Sequence, residues 1–524
     1  MESNSISVKN TNNAIMSSMS LSLLAKLLGL AQSVVVSYAF GTNTATDILF
    51  YTLSLIVLLT TFQESVNRQI VVPNLVEIKS VSSEEDTRGF ISTMYLLYLV
   101  AGMAGTAVLL ISPGKVLGAI SRFNMAEIAE NLDIIRLIVP AMFLIIINTY
   151  LLDIFTSYRF FNLPMFLDML KNALIIAFVI LLGGRFSVVG LAAGVLAGNL
   201  VQFVVLNLLL LRVLKWRPVF RIFKLSGTVR KNIFYVLAGR AATFLNDFII
   251  MYLMSGFAEG IYSAMDYALR IDAVVNSVII GQISTVVGIN IMELHSMKKM
   301  KELGETYMKY LKFSFFAVFP VTAVISLNAY PVISLLFERG SFSFQAAETT
   351  GTFLRLFILT MPFELMNSFV VILIIAKQIQ RVAFLWQISQ SLLNILLIWL
   401  MVGKYGFYGY PLGVLLATVL YVSVLSYFLV KSQFEFIDAK KVLSLLGRNL
   451  AINLPLLAAA FYISPKMQPG GGFADKAAFI LLSSVLFLLA YLGVNWLAGF
   501  NRGEIKRAVS YLAGLGIKLI KSHT

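Results

Sequence analysis

Long apolar runs dominate this chain, and short polar or charged clusters separate them. A helix needs about 20 apolar residues to cross about 30 Å of hydrocarbon. Fourteen runs meet that length and predict spans over 14–40, 46–74, 90–112, 134–156, 163–183, 187–211, 232–256, 260–292, 310–328, 349–376, 382–402, 407–430, 449–465 and 477–498. Several exceed the crossing length, so they tilt, kink or project. Pro73, Pro140, Pro320, Pro362, Pro411 and Pro455 lie within or at the ends of spans. Bundled membrane helices tolerate such breaks, which also supply bending points.

Composition agrees with that pattern. Of 524 residues, 59% are hydrophobic and 13% are charged, with a mean hydropathy of +0.85. A soluble core of that apolarity would leave a large greasy surface. The expected fold class is an all-α polytopic membrane protein of about fourteen transmembrane helices, arranged as two six-helix lobes plus two C-terminal helices. Cysteine is absent, which excludes disulfides, thiolate zinc sites and iron–sulfur clusters. His295 and His523 are too few for a multi-histidine metal site. The first 20 residues are polar and carry no basic n-region beyond Lys9, so the first span is expected to remain as a helix rather than be cleaved.

The net charge of +15 would suggest nucleic acid in a soluble protein. Here the distribution gives a different reading. Of the 41 Lys and Arg residues, 26 fall in the termini and even-numbered loops, 7 in odd-numbered loops and 8 inside spans. That asymmetry places both termini in the cytoplasm. The densest basic cluster lies between spans 6 and 7, from Arg212 to Lys231, and divides the first twelve spans into six plus six. The expected organisation is an N-terminal lobe over 1–212, a basic cytoplasmic linker over 213–231 and a C-terminal lobe over 232–432. Spans 13 and 14 follow within 433–498, then a cytoplasmic tail over 499–524. No residue-level repeat relates the halves, so the division rests on count and symmetry. In the tail, Ile505, Val509, Leu512, Ile517, Leu519 and Ile520 alternate with Lys506, Arg507, Lys518 and Lys521 as in a surface anchor.

Ionisable groups inside spans are costly and mark function by default. Span 1 carries Lys26; span 2 opens with Asp47 and later carries Glu64 and Arg68; Asp153 lies in span 4 and Asp168 and Lys171 in span 5. Glu64 with Arg68 and Asp168 with Lys171 have the spacing of pairs on one helix face. Span 7 carries Arg240, Asn246 and Asp247, and span 8 carries Asp266, Arg270 and Asp272. These groups either line a hydrated cavity or pair across helices. Span 10 adds Arg355 and Glu364. A guanidinium keeps its proton and grips phosphate with a planar fork, so Lys26, Arg240, Arg270 and Arg355 are candidate ligands for a diphosphate headgroup. Asp47, Asp247, Asp266, Asp272 and Glu364 are candidates for gating or ion coupling.

Three segments carry a family resemblance. One runs Leu24-Ala25-Lys26 through Gly29 and Gln32 to Ala39-Phe40-Gly41 and Ala45-Thr46-Asp47, ending near Val72-Pro73. A second is Tyr267-Ala268-Leu269-Arg270, and the third and most specific is Leu335-Leu336-Phe337-Glu338-Arg339-Gly340-Ser341-Phe342. In order and spacing they resemble the MurJ/MviN lipid II flippase family of the multidrug/oligosaccharidyl-lipid/polysaccharide exporter superfamily. The resemblance implies two lobes in a V around a cationic cavity, with spans 13 and 14 forming a side groove for a polyprenyl tail. It implies a monomer in the bacterial cytoplasmic membrane that flips a polyprenyl-diphosphate-linked saccharide by alternating access. Membrane lipids are expected partners and nucleic acid is not. No cofactor is expected, apart from a coupling ion of unspecified identity. Arg270 matches a substrate-site arginine of the family, Asp47 matches an aspartate of span 2, and Lys26 stands where arginine is usual.

The chain departs from the family pattern at Gln32, Ser33, Thr60 and Thr61, three of which replace arginines. Each lost charge-assisted hydrogen bond is worth about 1.5–3 kcal/mol. Either Arg240 compensates or the substrate is another lipid-linked saccharide, such as an exopolysaccharide or O-antigen repeat. A cation-coupled small-molecule antiporter of the same superfold is a further alternative, disfavoured by the arginine content. An enzyme is not expected: stretches between spans reach only about 20 residues, and no P-loop motif is present.

Overall fold

The computed structural model describes residues 2–81, 83–217, 227–463 and 472–506. Arg221 and Lys224 of the basic linker lie outside the described residues, as do Arg507, Val509, Leu512, Ile517, Lys518, Leu519, Ile520 and Lys521 of the expected tail anchor. Among the described residues every regular element is helical. The chain runs through α1 (Glu2–Phe40), α2 (Thr44–Val66), α3 (Val72–Val81), α4 (Glu84–Ile111), α5 (Pro113–Ile120), α6 (Met125–Glu130) and α7 (Leu132–Ile138). It continues through α8 (Pro140–Ser157), α9 (Leu163–Phe186), α10 (Val188–Arg212), α11 (Gly227–Met254) and α12 (Ile261–Ser296). Then come α13 (Met300–Leu327), α14 (Ala329–Phe337), α15 (Phe344–Ile358), α16 (Met361–Lys377) and α17 (Gln380–Tyr405). The last are α18 (Gly409–Leu420), α19 (Ser426–Gln433), α20 (Ala439–Ile463) and α21 (Phe473–Leu497).

Among the described residues, eleven stretches are long and apolar enough to cross a membrane, or up to twelve if the bent pair α15–α16 counts as one span. The expected count of fourteen is therefore not reached on length and composition. One reason is that Arg381–Gln433 forms a single 53-residue stretch, although α17 and α18 pack on each other across a break at Gly406–Tyr408. Of the prolines expected to break spans, Pro320 and Pro455 instead lie inside continuous helices, α13 and α20. Pro140 and Pro362 sit in the first turns of α8 and α16, where no amide is needed. The α15–α16 bend, 40°, falls just before Pro362.

Two compact units emerge. The first comprises Met1–Tyr267 with Phe337–Ala346; the second comprises Ala268–Leu336 with Ala347–Thr524. In the first, Ile147, Tyr150, Leu151 and Ile154 of α8 are almost fully buried against Phe90 and Met94 of α4 and Leu206 and Leu210 of α10. In the second, Tyr307, Leu311, Phe315 and Val318 form a stripe along α13 at helical spacing and pack on Leu365, Phe369 and Leu373 of α16. Phe487 and Tyr491 of α21 pack on Phe316, Ala323 and Leu327 of α13, while Leu481, Val485 and Leu489 face outward, as a lipid-facing side should.

Apolar side chains gain little by leaving lipid tails, so membrane helices associate through close packing and interhelical hydrogen bonds. Gly190, Gly194 and Gly198 recur every four residues on α10. A Cβ at Gly194 would lie 2.8 Å from the Cβ of Phe178 and 3.4 Å from Cα of Ile175 on α9. Gly194→Leu should therefore push α9 away and lower the tryptophan-monitored melting temperature in detergent. Gly184→Ala, which meets nothing within 4 Å, should leave it unchanged.

Candidate functional site

Parts of the three segments that carry the family resemblance, namely residues of the first segment, Tyr267 and residues 337–342, are far apart in sequence and meet in the first unit. Helix α1 ends at Phe40, and Gly41 takes a left-handed φ of +62° that suits a helix C-cap. The last carbonyls of α1 lack partners within the helix. Ser341 supplies them: its amide donates to the Tyr38 carbonyl at 2.9 Å, and its hydroxyl donates to the Ala39 carbonyl at 3.0 Å. Gly340 has φ +60°, and a Cβ there would overlap the Tyr38 carbonyl; a Cβ at Gly41 would overlap Ser341. Both glycines are thus required by conformation and by space.

After this corner, Asn43 caps α2 reciprocally with Thr46. Asp47, only 3% exposed, turns its carboxylate onto the start of α12. Its Oδ2 accepts from the Gly260 amide and its Oδ1 from the Ser263 amide, both at 2.7 Å. Glu259 answers in the opposite direction, accepting from the Thr44 amide at the start of α2 at 3.1 Å. Two helix N-termini thereby exchange carboxylates, each anion sitting at the positive end of the other helix. One turn further along α12, Tyr267 is fully buried. Its ring meets Phe50, Phe337 and Phe342 at centroid distances of 5.4, 5.4 and 5.6 Å. Tyr51 packs on Tyr262 at 5.5 Å and on Phe123 at 5.3 Å, and the Arg122 amide donates to the Ser255 hydroxyl. The result is a dry aromatic plug joining the 1–2, 7–8 and 9–10 connections, which alternation of spans had already put on one side of the membrane.

The remaining site residues of the first unit are placed as follows. Lys26 is half-buried on α1. Arg240 is half-buried on α11, and its Nε is buried with no hydrogen-bond partner among the described residues. Asp247, two turns on, accepts from the Asn246 side chain at 2.9 Å, and no ion pair within 4.0 Å joins it to Arg240. Asp266 is half-buried on α12 and is not free of partners. Glu64 and Arg68 approach to 3.9 Å and Asp168 and Lys171 to 3.0 Å, as their spacing predicted. Thr60 and Thr61 donate to the carbonyls of Val57 and Leu58 on their own helix. They are hydroxyls absorbed by the backbone at positions where the resemblance leads us to expect arginines.

In the second unit, Arg270 is half-buried on α12 and has partners. Asp272 accepts from the Asn276 side chain at 3.0 Å, and its other oxygen is buried without a partner. Glu364 on α16 accepts from the Thr360 hydroxyl at 2.9 Å and lies close enough for its charge to act on Asp272. The Ser284 and Ser368 hydroxyls, 2.8 Å apart, tie the same two helices. On α15, the Arg355 Nε donates to the Ser326 carbonyl at 3.2 Å, and its guanidinium lies 5.3 Å from the Phe461 ring centroid. Sequence reading missed Glu259, Gly260 and Ser263 as partners of Asp47. A Glu-Gly step directly before a helical run was the available signal. It also missed the π-helical turn at Asn67–Val71, where Asn67 donates to Asp153 and accepts from Tyr98.

A family model described as "MurJ: Lipid II flippase MurJ" matches residues 36–481. A probable lipid II flippase MurJ of Buchnera aphidicola (subspecies Acyrthosiphon pisum) is 25% identical over 264 residues, which are 47% of this chain and 50% of that protein. A lipid II flippase MurJ of Burkholderia cenocepacia is 25% identical over 37% of this chain and 38% of its own length. The chain thus spans about half the length, or less, of the curated relatives it matches. Among solved structures, a lipid II flippase MurJ in an inward closed conformation superposes with a TM-score of 0.75 at 18% identity, covering 91% of this chain and 98% of that one. An inward-facing multidrug-resistance transporter of the MATE family superposes at 0.66 with 16% identity, covering 82% and 99%. At these identities both likenesses speak for the fold alone.

The carboxylate exchange gives a direct expectation. Asp47→Ala removes the anion from the start of α12, a loss of about 1–2 kcal/mol. On this naturally cysteine-free chain, a Thr42→Cys reporter should then react faster with a membrane-impermeant maleimide. Unchanged labelling would show that Asp47 does not hold this end shut.

Proposed function

We propose, for a chain that belongs to the lipid II flippase MurJ family, that it moves a polyprenyl-diphosphate-linked saccharide, of the lipid II type, from the inner to the outer leaflet of the bacterial cytoplasmic membrane. The observation that carries this reading is the meeting of parts of the three family segments in one hydrogen-bonded, aromatic closure around Asp47. A transporter that alternates access needs one end sealed while the other admits substrate. A seal made of helix caps and rings can open without breaking a helix. Both termini lie in the cytoplasm on this reading, and the chain acts as a transporter rather than an enzyme.

Arg270 is the first residue assigned to the diphosphate, and Lys26, Arg240 and Arg355 are further candidates by charge. The fork of a guanidinium makes two parallel charge-assisted bonds that a lysine cannot reproduce. Asp47 closes the outer end; an anion there would repel a diphosphate, so a gating role suits it better than substrate contact. Asp272 and Glu364, facing carboxylates on α12 and α16, are the pair assigned to the coupling ion, because two close anions share a proton or a cation more readily than they both ionise. Asp247 and Asp266 are counter-charges to the basic groups on the same helices.

One observation favours a related substrate. Thr60 and Thr61 are spent on their own backbone, while Arg240 keeps a buried Nε without a partner. That shifts anion recognition toward α11 and suits another polyprenyl-diphosphate saccharide, such as an exopolysaccharide or O-antigen repeat. The MATE likeness at 16% identity gives no comparable support for a small-molecule antiporter.

Arg270→Ala should express and insert normally yet fail to rescue cells depleted of their lipid II flippase, and Arg270→Lys should rescue only in part. Full rescue by Arg270→Ala would remove the assignment. Lipid binding in native mass spectra decides the substrate. Loss of lipid II binding in Arg270→Ala but not Arg240→Ala indicates ordinary lipid II, whereas weak rescue with stronger binding of another lipid-linked saccharide indicates the related one. Separately, Asp272→Asn with Glu364→Gln should leave substrate binding intact and abolish the response of transport to an imposed ion gradient or membrane potential. A retained response would place coupling elsewhere.

A further inference from the structure

We infer that Asp153 is a proton-binding site of the first unit, and that its charge holds the π-helical turn at Asn67–Val71. Asp153 is the only charged residue of α8, so no partner on its own helix neutralises it. It sits about one turn before the end of that helix. Its Oδ2 accepts from the Asn67 side-chain amide at 2.8 Å, and the Asn67 side-chain oxygen accepts from the Tyr98 hydroxyl at 2.6 Å. Asn67 is fully buried and Tyr98 nearly so, which fixes both in the core of the unit. Nothing here depends on which saccharide the protein carries.

The carboxylate has no cation of its own. Among the described residues no ion pair includes it, and one neutral amide holds it. Glu64 and Arg68 lie close enough for their charges to act on it, but they are opposite in sign and approach each other at 3.9 Å. The charged groups of α3, α7 and α10 are exposed, and on α4 and α9 Arg88 and Lys171 are taken by carboxylates of their own helices. An unpaired anion inside a span is costly. Taking a proton from hydronium, which leaves as water, removes that charge. Asn67 turns its nitrogen to the site, and no group of three metal-type ligands lies among the described residues, so the site suits a proton and not a metal ion.

The charge has a structural consequence. Asn67 opens the π turn, in which the Val72 amide donates to the Asn67 carbonyl, five residues back. The Asn67 side chain anchors that widened turn to α4 and α8. A hydrogen bond to a carboxylate is roughly twice as strong as one to a neutral group. Protonation of Asp153 therefore weakens the anchor and lets the turn tighten toward an α-helix, which rotates α3 relative to α2. Leu75 of α3 is buried in the same core, so packing registers the rotation. The turn closes the helix whose first turn carries Asp47, which puts both devices on one span.

The test uses the full-length protein in detergent, with an environment-sensitive fluorophore on Ser80→Cys, an exposed position of α3 in a chain without native cysteine. Emission should follow pH as the titration of one group. Asp153→Asn, which mimics the neutral form, should hold emission at its low-pH value throughout, while Glu64→Gln should still titrate. Infrared difference spectra read the proton directly: the protonated-carboxyl band that grows on acidification should lose one group's intensity in Asp153→Asn. In Asn67→Ala that intensity should remain while the emission change disappears, because the carboxylate still binds its proton but no longer holds the turn. If Asp153→Asn does not fold, as judged by its melting, Asp153→Glu replaces it and should titrate with a displaced midpoint; an unmoved midpoint would count against the site. Replacing sodium with choline should change nothing, and a response that needs sodium would overturn the proton in favour of a metal cation. Emission that titrates equally in Asp153→Asn, or no titration in the parent protein, would overturn the inference, and titration retained in Asn67→Ala would remove the turn from it. No substrate enters the test, so its outcome stands apart from the transport reading.

Discussion

A single buried carboxylate organises the best-defined site of this protein. Asp47 is removed from water almost completely, and an isolated anion in such a place would be expensive. Two backbone amides at the start of α12 and the aligned peptide dipoles behind them make it tolerable. The same bonds satisfy amides that α12 has no other way to satisfy inside a membrane protein. Each side offsets a cost on the other, so this end is joined by a specific contact as well as by ring packing. The ring cluster around Tyr267 and the cap that Ser341 places on α1 lie beside that bond and exclude water from it.

A membrane interior gives apolar side chains little reason to prefer each other over lipid, so order comes from other terms. Glycines at four-residue spacing bring α10 against α9. Asparagine side chains link α20, α21 and the segment after it: Asn495 donates to Asn453, and Asn501 donates to Asn495. Lys312 pairs with Glu504 at 3.1 Å. Charged groups that are not spent in this way are therefore informative. Arg240 with its orphaned Nε and Asp272 with its bare oxygen are places where the protein keeps capacity for something outside itself.

Much of the fold was legible because membrane spans announce themselves by length and apolarity. The runs around α4, α9 and α10 needed nothing more. Local pairs were legible too: three- and four-residue spacing was enough for Asp168 with Lys171 and Glu64 with Arg68. The count of spans was less secure, because α15 and α16 share one apolar run with a bend, and α17 to α19 share another with a fold-back. The site was legible only as a list of residues. Nothing in spacing says that Asp47 caps a helix beginning some 210 residues later, or that Ser341 closes α1. Those are tertiary satisfactions of backbone groups, which leave a glycine or a short polar residue in the sequence but no period. Arg355 shows the converse: its charge marked it for a phosphate, while only the structure places it beside Ser326 and Phe461.

For the transport proposed, the closure at Asp47, Tyr267 and Ser341 must open. The direct measurement is to join the two sides reversibly. Ala39→Cys with Ser341→Cys, bridged by a short cleavable bis-thiol reagent, places the tether across the hydrogen bond that caps α1. Lipid-linked saccharide translocation in proteoliposomes should stop on bridging and return on cleavage, with substrate binding retained throughout. Undiminished translocation with the bridge in place would mean that this end need not open.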